Sequence, residues 1–279
     1  MLRQRIVTAI VLAVCFLTAL FGLSPPVFTA VMALVVGYAG WEMSALAGIS
    51  DRLSRLVYVA AMLIVMGLLT GWLDFDKNSL FTSHVRSLLG WTCIWWTIAL
   101  LWIQSYPGSA ILWGRRGFCV VIGFVVLVPT WMALAALVHA ENGAWLILGV
   151  VLLVALADIG AFFTGRAFGR HKLATKVSPG KTWEGVGGGL LAVTLGVTLF
   201  SFLRAEGTGQ WWAWLLLAGV TGLASVVGDL FESMFKRHSG VKDSGTILPG
   251  HGGVLDRIDG LTAALPVFAL LYVLLHTRL

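Results

Sequence analysis

Charged residues are scarce in this chain of 279 residues, since Asp, Glu, Lys and Arg together make up only 11% of it. A soluble domain normally contains about 25% charged residues. Hydrophobic residues reach 58% instead, and the mean hydropathy is +0.91. Apolar stretches of this length cannot all be buried in one soluble core. The composition therefore excludes a soluble enzyme and predicts a protein that lives in a lipid bilayer.

Cysteine is scarce as well, and Cys15, Cys93 and Cys119 do not have the spacing of metal ligands. We expect packing residues and no disulfide framework. The sequence also lacks internal repeats and low-complexity segments. Its net charge of +6 would ordinarily suggest nucleic acid as a partner. The basic residues are dispersed between apolar stretches, however, which favours anionic lipid headgroups or phosphates.

An α-helix needs about 20 apolar residues to cross a bilayer core of about 30 Å. Runs of that length, separated by charged or turn residues, predict an all-α polytopic membrane protein with about nine transmembrane helices. The first run follows Arg3 and Arg5 but lacks a small-x-small cleavage site, so we expect it to be kept as a span. The predicted spans are 6–23, 27–47, 56–73, 88–104, 118–138, 144–164, 186–203, 211–230 and 260–276.

Basic residues are distributed unequally between the two sides of these spans, with 15 of the 19 Lys and Arg residues on the side of the N-terminus. Cytoplasmic loops carry the excess of positive charge, so we predict a cytoplasmic N-terminus and a periplasmic C-terminus. Residues 1–140 form an N-terminal region of about five spans. Residues 141–279 form the second region, predicted to be catalytic, with cytoplasmic loops at 165–185 and 231–259.

Carboxylates gather at the cytoplasmic ends of three spans. Asp158 lies in the sixth span, Asp229 and Glu232 end the eighth, and Asp256 and Asp259 precede the ninth. Ionisable residues at membrane depth are costly and are by default functional candidates. Both pairs have the i, i+3 spacing that places two side chains on one helix face. Oxygen ligands of this kind suit Mg²⁺, which takes its remaining ligands from water and substrate phosphates.

Basic residues and glycines surround these carboxylates. Lys236, Arg237, Lys242 and Arg257 can neutralise phosphate oxygens, and the glycines around His251 let backbone N–H groups approach an anion. The combination of carboxylates, basic residues and glycines therefore points to phosphate chemistry.

Simpler interpretations stay open at several positions. The Lys-Arg pair at 236–237 can be a topology anchor, and a lone His251 in a glycine-rich loop is more often a hydrogen-bonding residue than a ligand or base. Asp243 can simply be solvated, and structural salt bridges can account for Asp229 and Asp256. The lysines of the 165–185 loop can bind anionic lipid.

A Gly-Lys-Thr sequence at 180–182 suggests a P-loop, but Thr175 stands where that motif needs a glycine, and a membrane span precedes it instead of a strand. Ser178-Pro179 is better interpreted as a helix start, with proline at the first helical position. Gly185 and Gly189 are four residues apart, which predicts close packing of helices.

A long and specific signature runs through the C-terminal half of the sequence. It consists of Ser233-x-Phe235-Lys236-Arg237, Lys242-Asp243-x-Gly245 and Leu248-Pro249-x-His251-Gly252-Gly253-Val254-x-Asp256-Arg257-Ile258-Asp259 and, upstream of these, of Asp158, Gly165-Arg166 and Ser178-Pro-x-Lys181-Thr182-Trp183-Glu184-Gly185. In these residues the chain resembles the phosphatidate cytidylyltransferases, also called CDP-diacylglycerol synthases, with Gly260 standing where serine is expected. The first five predicted spans match this family only in length, hydropathy and topology.

This resemblance implies that CTP and phosphatidate react to give CDP-diacylglycerol and pyrophosphate. The implied setting is the inner membrane of a bacterium, with Mg²⁺ as cofactor and a second cation left open. The implied partners are CTP, phosphatidate and membrane lipids but no nucleic acid, and a homodimer is left open. Because the lipid phosphate is itself the nucleophile, no nucleophile from the chain is required, and no Ser-His-Asp or Cys-His arrangement suggests one.

The resemblance and the residue chemistry together predict a role for each site residue. Asp229 and Asp256 are the predicted metal ligands. The predicted catalytic residues are Lys236, Arg237, Lys242, Asp243, His251, Arg257 and Asp259. The predicted substrate-binding residues are Asp158, Arg166, Lys172, Ser178, Lys181 and Glu184.

Two other classes of function share some of these sequence features. Another Mg²⁺-dependent lipid-phosphate transferase or kinase would share the cytoplasmic carboxylates, although the long signature argues against it. An ion-coupled transporter would place its carboxylates near the midplane, on broken helices, whereas here they cluster at one face. The sequence leaves three roles open for Glu42 in the second span: pairing with another helix, lining a lipid cavity, or standing near a span end.

Overall fold

The computed structural model describes residues 2–75, 78–204 and 207–276. Among these residues, ten α-helices, one 3₁₀ turn and one β-hairpin follow each other. They are α1 (Leu2–Gly22), α2 (Pro25–Leu46), α3 (Arg52–Leu73), the 3₁₀ turn (Ser79–Phe81), α4 (Ser83–Gln104), α5 (Ala110–Trp113), α6 (Arg116–His139), α7 (Gly143–Phe168), β1 (Lys172–Ala174), β2 (Ser178–Thr182), α8 (Trp183–Leu203), α9 (Thr208–His238) and α10 (Leu255–Leu275).

Within the described residues, nine helices are long and apolar enough to cross a membrane. They correspond one by one to the nine predicted spans, so the all-α polytopic fold is confirmed. The orientation of the termini stays a prediction, and two of the basic residues behind it, Lys77 and Arg278, lie outside the described residues. The predicted boundary at residue 140 falls between α6 and α7.

The two predicted loops are shorter than expected. Helix α9 continues to His238 and α10 begins at Leu255, so the second loop covers 239–254 instead of 231–259. Asp229, Glu232 and Asp256 therefore lie within helices. The spans predicted from hydropathy stop where charged residues begin, whereas the helices continue through those residues.

Helix α6 forms the centre of the bundle, and it packs against α2, α3, α4, α7 and α10. Its residues 130–138 are buried almost without interruption, and Trp131 is among the largest fully buried side chains. Cys119 on the same helix is buried, as expected of a packing residue. In contrast, α1 is largely exposed along its length, and its Cys15 is exposed rather than packed.

Glycines bring α7 and α8 into close contact. A Cβ atom added at Gly189 would lie 2.7 Å from the carbonyl oxygen of Ala157, and one at Gly185 would lie 3.0 Å from that of Ala161. Only glycine permits such an approach without a shift of the backbone. The predicted packing role of Gly185 and Gly189 is therefore confirmed.

A short antiparallel hairpin connects α7 to α8, where the sequence predicted a helix start at Ser178-Pro179. That prediction is wrong, because Ser178 pairs with Ala174 and opens strand β2. Proline is tolerated at the edge of such a small sheet. Helix α8 begins only at Trp183, because Thr182 in an extended conformation accepts a hydrogen bond from the N–H of Gly185 at 3.1 Å and caps the helix.

Substitution of Gly189 by alanine tests the packing of α7 on α8. We expect Gly189→Ala to destabilise the protein by about 1–3 kcal/mol, because the new methyl group meets the backbone of α7. Gly187 is two residues away, is exposed and has open space around its Cα. Gly187→Ala should therefore be neutral or slightly stabilising. Thermal unfolding midpoints in one detergent measure both, and equal shifts would contradict the close approach.

Candidate functional site

A buried ion triad joins α9 to α10. The ammonium group of Lys236 lies 2.7 Å from Oε2 of Glu232, one turn earlier on α9, and 2.7 Å from Oδ1 of Asp256 on α10. The Lys236 side chain is only 12% exposed and each carboxylate side chain 5%. Charges removed from water in this way need a partner of opposite sign, so the triad fixes the position of α9 against α10.

A second ion pair connects the hairpin to α9. The ammonium group of Lys181 on β2 lies 2.7 Å from Oδ2 of Asp229. The hydroxyl of Ser233 donates to the other oxygen of Asp229 at 3.3 Å. The short hairpin therefore places a lysine against the same helix that carries Glu232.

Five carboxylates of α7, α9 and α10 form one group, which we call the carboxylate cluster: Asp158, Asp229, Asp259, Glu232 and Asp256. Their charges interact in that order, each with the next. Three basic side chains, Lys181, Lys236 and Arg257, also interact with members of the cluster. The carboxylates therefore outnumber these basic partners, which favours the binding of a further cation.

Asp256 also organises the loop between α9 and α10. Its Oδ2 accepts hydrogen bonds from the backbone N–H groups of Ser244 at 3.0 Å and Gly253 at 2.8 Å. The glycines of this loop were expected to bring N–H groups to a bound anion. The anion that Gly253 meets is a carboxylate of the protein itself, whereas Gly250 and Gly252 have the positive φ angles of turn glycines.

Three predicted site residues take part in holding the hairpin. Arg237 donates from Nε to the carbonyl oxygen of Val177 at 3.2 Å. Glu184 accepts from the backbone N–H of His171 and lies 2.6 Å from its ring Nδ1. Ser178 is half-buried at the start of β2. Each of these contacts explains why the residue stands where it does, and its predicted role toward a substrate stays a prediction.

Other predicted residues lie at the surface around the cluster. Arg166 in the last turn of α7, Lys172 on β1, Lys242 and Asp243 in the 239–254 loop, and Arg257 in the first turn of α10 are all exposed. Exposed bases remain free to contact a ligand. His251 is half-buried, and its Nδ1 is buried without a hydrogen-bond partner among the described residues.

The oxygen chemistry of the cluster fits Mg²⁺. Oε1 of Glu232 is buried and receives no hydrogen bond from any described donor, and the Asp259 carboxylate interacts with Glu232. Two neighbouring carboxylates of this kind are stabilised by a cation. The described residues contain no group of three metal-ligating side chains, but Mg²⁺ in nucleotide sites commonly uses one or two carboxylates, with water and phosphates completing its shell.

The predicted metal ligands Asp229 and Asp256 are each paired with a lysine: Lys181 lies 2.7 Å from Asp229, and Lys236 lies 2.7 Å from Asp256. Glu232 was only a supporting candidate in the sequence, yet the structure makes it a member of the buried ion triad with Lys236 and Asp256. Its i, i+4 spacing from Lys236 was the feature of the sequence that could have indicated this ion pair.

The sequence profile described as the cytidylyltransferase family matches residues 3–275. A phosphatidate cytidylyltransferase of Pseudomonas aeruginosa is 44% identical over 275 residues, covering 97% of both chains. Proteins of the same name from Haemophilus influenzae and Staphylococcus saprophyticus are 41% and 31% identical, and each alignment covers 98% of this chain and 99% of the relative.

The fold and the cluster define a polytopic membrane protein in which carboxylates and basic side chains of three helices and the hairpin are grouped together. The chain belongs to the cytidylyltransferase family. The similarity extends beyond the C-terminal half that carries the signature and includes the first five spans.

Replacement of Lys236 tests the ion triad. We expect Lys236→Met to destabilise the protein by about 3–5 kcal/mol, because it leaves Glu232 and Asp256 as buried carboxylates without their shared cation. Lys172 is an exposed lysine of the hairpin, and Lys172→Met should change stability by less than about 0.5 kcal/mol. Unfolding midpoints in detergent compare the two variants. A Lys236→Met protein as stable as the control would show that the triad does not hold α9 to α10.

Proposed function

We propose that this protein transfers the cytidylyl group of CTP to phosphatidate and so makes CDP-diacylglycerol and pyrophosphate. The observation that carries the proposal is the carboxylate cluster with its three basic partners, in a chain that aligns over 97% of its length with a relative named phosphatidate cytidylyltransferase. Ionisable side chains grouped within membrane-spanning helices commonly mark a functional site.

The reaction needs positioning and charge neutralisation more than it needs a nucleophile from the chain. An oxygen of the lipid phosphate attacks the α-phosphorus of CTP. The bond from that phosphorus to the oxygen bridging the α- and β-phosphates breaks, and pyrophosphate leaves. Phosphoryl-transfer enzymes commonly accelerate such steps by alignment and by stabilising the negative charge on the phosphate oxygens.

We propose Mg²⁺ as the cofactor, held by Asp229 and Asp256 with support from Asp259 and Glu232. Bound Mg²⁺ would neutralise phosphate oxygens of the nucleotide. Lys181 and Lys236 each hold a carboxylate of the cluster at 2.7 Å, so they orient the proposed ligands. These lysines also keep the carboxylates from repelling one another.

The exposed basic residues are the proposed phosphate contacts. Arg257 and Lys242 flank the loop over the cluster and would stabilise the pyrophosphate, while Arg166 and Lys172 would hold phosphates of CTP or lipid. All four side chains are exposed, so they remain accessible to a ligand. His251 would orient a phosphate rather than act as a base, because a phosphate monoester dianion needs no deprotonation to attack.

We propose that this end of the bundle faces the cytoplasm and that the membrane is the bacterial inner membrane. CTP is water-soluble, whereas the phosphate of phosphatidate lies at the bilayer surface. A site at the helix ends is within reach of both. Asp158 is accessible on α7, and the exposed apolar Ile159 and Phe162 follow it, so the lipid would approach along this helix.

Labelled CTP tests the function. Purified protein in detergent, given CTP labelled at the α-phosphate and phosphatidate with Mg²⁺, should form labelled CDP-diacylglycerol and an equal amount of pyrophosphate. EDTA should abolish the product. CTP labelled at the γ-phosphate should leave the lipid unlabelled, whereas label in the lipid would indicate a kinase. Uptake of an ion or solute into vesicles without any lipid product would indicate a transporter.

Neutralising the proposed metal ligands should stop turnover without preventing folding. We expect Asp229→Asn and Asp256→Asn to lower kcat by about 100-fold or more, because each loses a charge that faces the phosphates. Asp51 caps α3 by accepting from the N–H of Ser54 at 2.7 Å, and asparagine caps equally well. Asp51→Asn is therefore the matched control and should retain activity. Full activity of either cluster variant would remove that carboxylate from the site.

A further inference from the structure

Glu42 lies in the last turns of α2 and is only 2% exposed. A carboxylate within a membrane-spanning helix is costly unless other groups satisfy it. The signature that identifies the C-terminal half does not include this residue. Its contacts therefore require an explanation of their own.

The Glu42 carboxylate accepts three hydrogen bonds from the beginning of α10 and the loop before it. Oε1 accepts from the backbone N–H of Val254 at 3.1 Å. Oε2 accepts from the N–H of Leu255 at 2.8 Å and from the hydroxyl of Ser244 at 3.1 Å. Val254 is the N-cap residue of α10 and has no polar side chain. A glutamate from another helix thus supplies the acceptor that the first N–H groups of a helix need.

Two glycines make room for this carboxylate. A Cβ atom at Gly245 would overlap Oε1 of Glu42, and a Cβ atom at Gly253 would overlap both carboxylate oxygens. Neither glycine has a positive φ angle. Space for Glu42, rather than an unusual backbone conformation, therefore explains the absence of a side chain at both positions.

Glu42 and Asp256 hold the same segment through adjacent groups. Glu42 accepts from the Ser244 hydroxyl and the Val254 N–H, whereas Asp256 accepts from the backbone N–H groups of Ser244 and Gly253. Asp256 uses its other oxygen for Lys236. A shift of the first turn of α10 would therefore move Asp256 relative to the rest of the carboxylate cluster.

The end of α2 that carries Glu42 is itself fixed to α3. Arg55 donates to the Ser44 hydroxyl at 3.1 Å and to the carbonyl oxygen of Trp41 at 2.7 Å, and its guanidinium lies 3.9 Å above the Trp41 ring. Its charge also interacts with that of Glu42. The N-terminal helices thus provide a rigid base from which Glu42 reaches the second half of the chain.

We propose that Glu42 is a positioning residue of the active site. It fixes the start of α10 and the Ser244 segment, so that Asp256 faces Lys236 in the arrangement required for CTP. Glu42 does not itself contact substrate, because its oxygens are occupied by three donors and it is buried. The inference rests on the proposed function.

Glu42→Gln tests the proposal, because it keeps the shape of the side chain and replaces one acceptor oxygen by a donor. One of the two N–H groups of α10 then loses its acceptor. We expect kcat/KM for CTP to fall about 10- to 100-fold, with KM for phosphatidate changed less than about twofold. Thr29→Val removes a buried hydroxyl near the other end of α2 that has no hydrogen-bond partner among the described residues, and its kinetic constants should stay within about twofold of wild type.

A double-mutant cycle provides the second measurement. Gly245→Ala crowds the Glu42 carboxylate, so it should lower kcat/KM for CTP, whereas in a Glu42→Ala background it should cause much less additional loss. Such non-additivity is the signature of direct coupling. If Glu42→Gln cannot be purified as a monodisperse protein, Gly245→Ala tests the same positioning role, because it displaces the Glu42 carboxylate without changing any charge.

The outcomes separate this inference from the function on which it rests. A wild-type protein that forms no CDP-diacylglycerol would refute the function. An active wild type with an unaltered Glu42→Gln variant would refute the positioning role. A lower yield of folded Glu42→Gln whose KM for CTP and kcat per folded molecule equal those of wild type would also refute it, because Glu42 would then contribute to stability alone.

Discussion

The pairing of Lys236 with Glu232 and Asp256 is the interaction on which the rest of the site depends. A helix bundle in a membrane offers little water to solvate charge, so each buried ion must find its partner inside the protein. One lysine that serves two carboxylates on different helices satisfies this demand and sets the position of α9 against α10. Asp229 on α9 and Asp259 on α10 are members of the same cluster, so their relative positions also depend on how these two helices pack.

Carboxylates of the protein also shape the loop that joins these helices. Glu42 and Asp256 between them accept five hydrogen bonds from residues 244–255. A loop with many turn glycines would otherwise sample many conformations, and ordering it would cost conformational entropy. Because both carboxylates are themselves held by packed helices, the loop is connected to the rigid part of the bundle.

Hydropathy predicted the number and order of the spans, because about 20 apolar residues are needed wherever a helix crosses a bilayer. It failed at the helix ends of the site, since α9 continues through the charged residues up to His238 and α10 starts before Asp256. Single-residue hydropathy cannot record that a charge is neutralised by a side chain of another helix. The pairing of Lys181 with Asp229 and the role of Glu42 likewise join residues far apart in sequence, and only the folded chain shows them.

The need to pair buried charges connects the stability of the helix bundle to the proposed reaction. When the lipid substrate supplies the nucleophile, the protein contributes fixed charges and needs no reactive side chain of its own. Fixed charges stabilise a transition state best when they keep their positions during the reaction. Lys236 and Asp256 are held by one another, and Asp256 is held further by two backbone N–H groups. The contacts that make charge tolerable in the bundle are therefore the contacts that keep the proposed ligands in place. Ion pairs that hold neighbouring helices together thus also supply preorganisation for the proposed reaction.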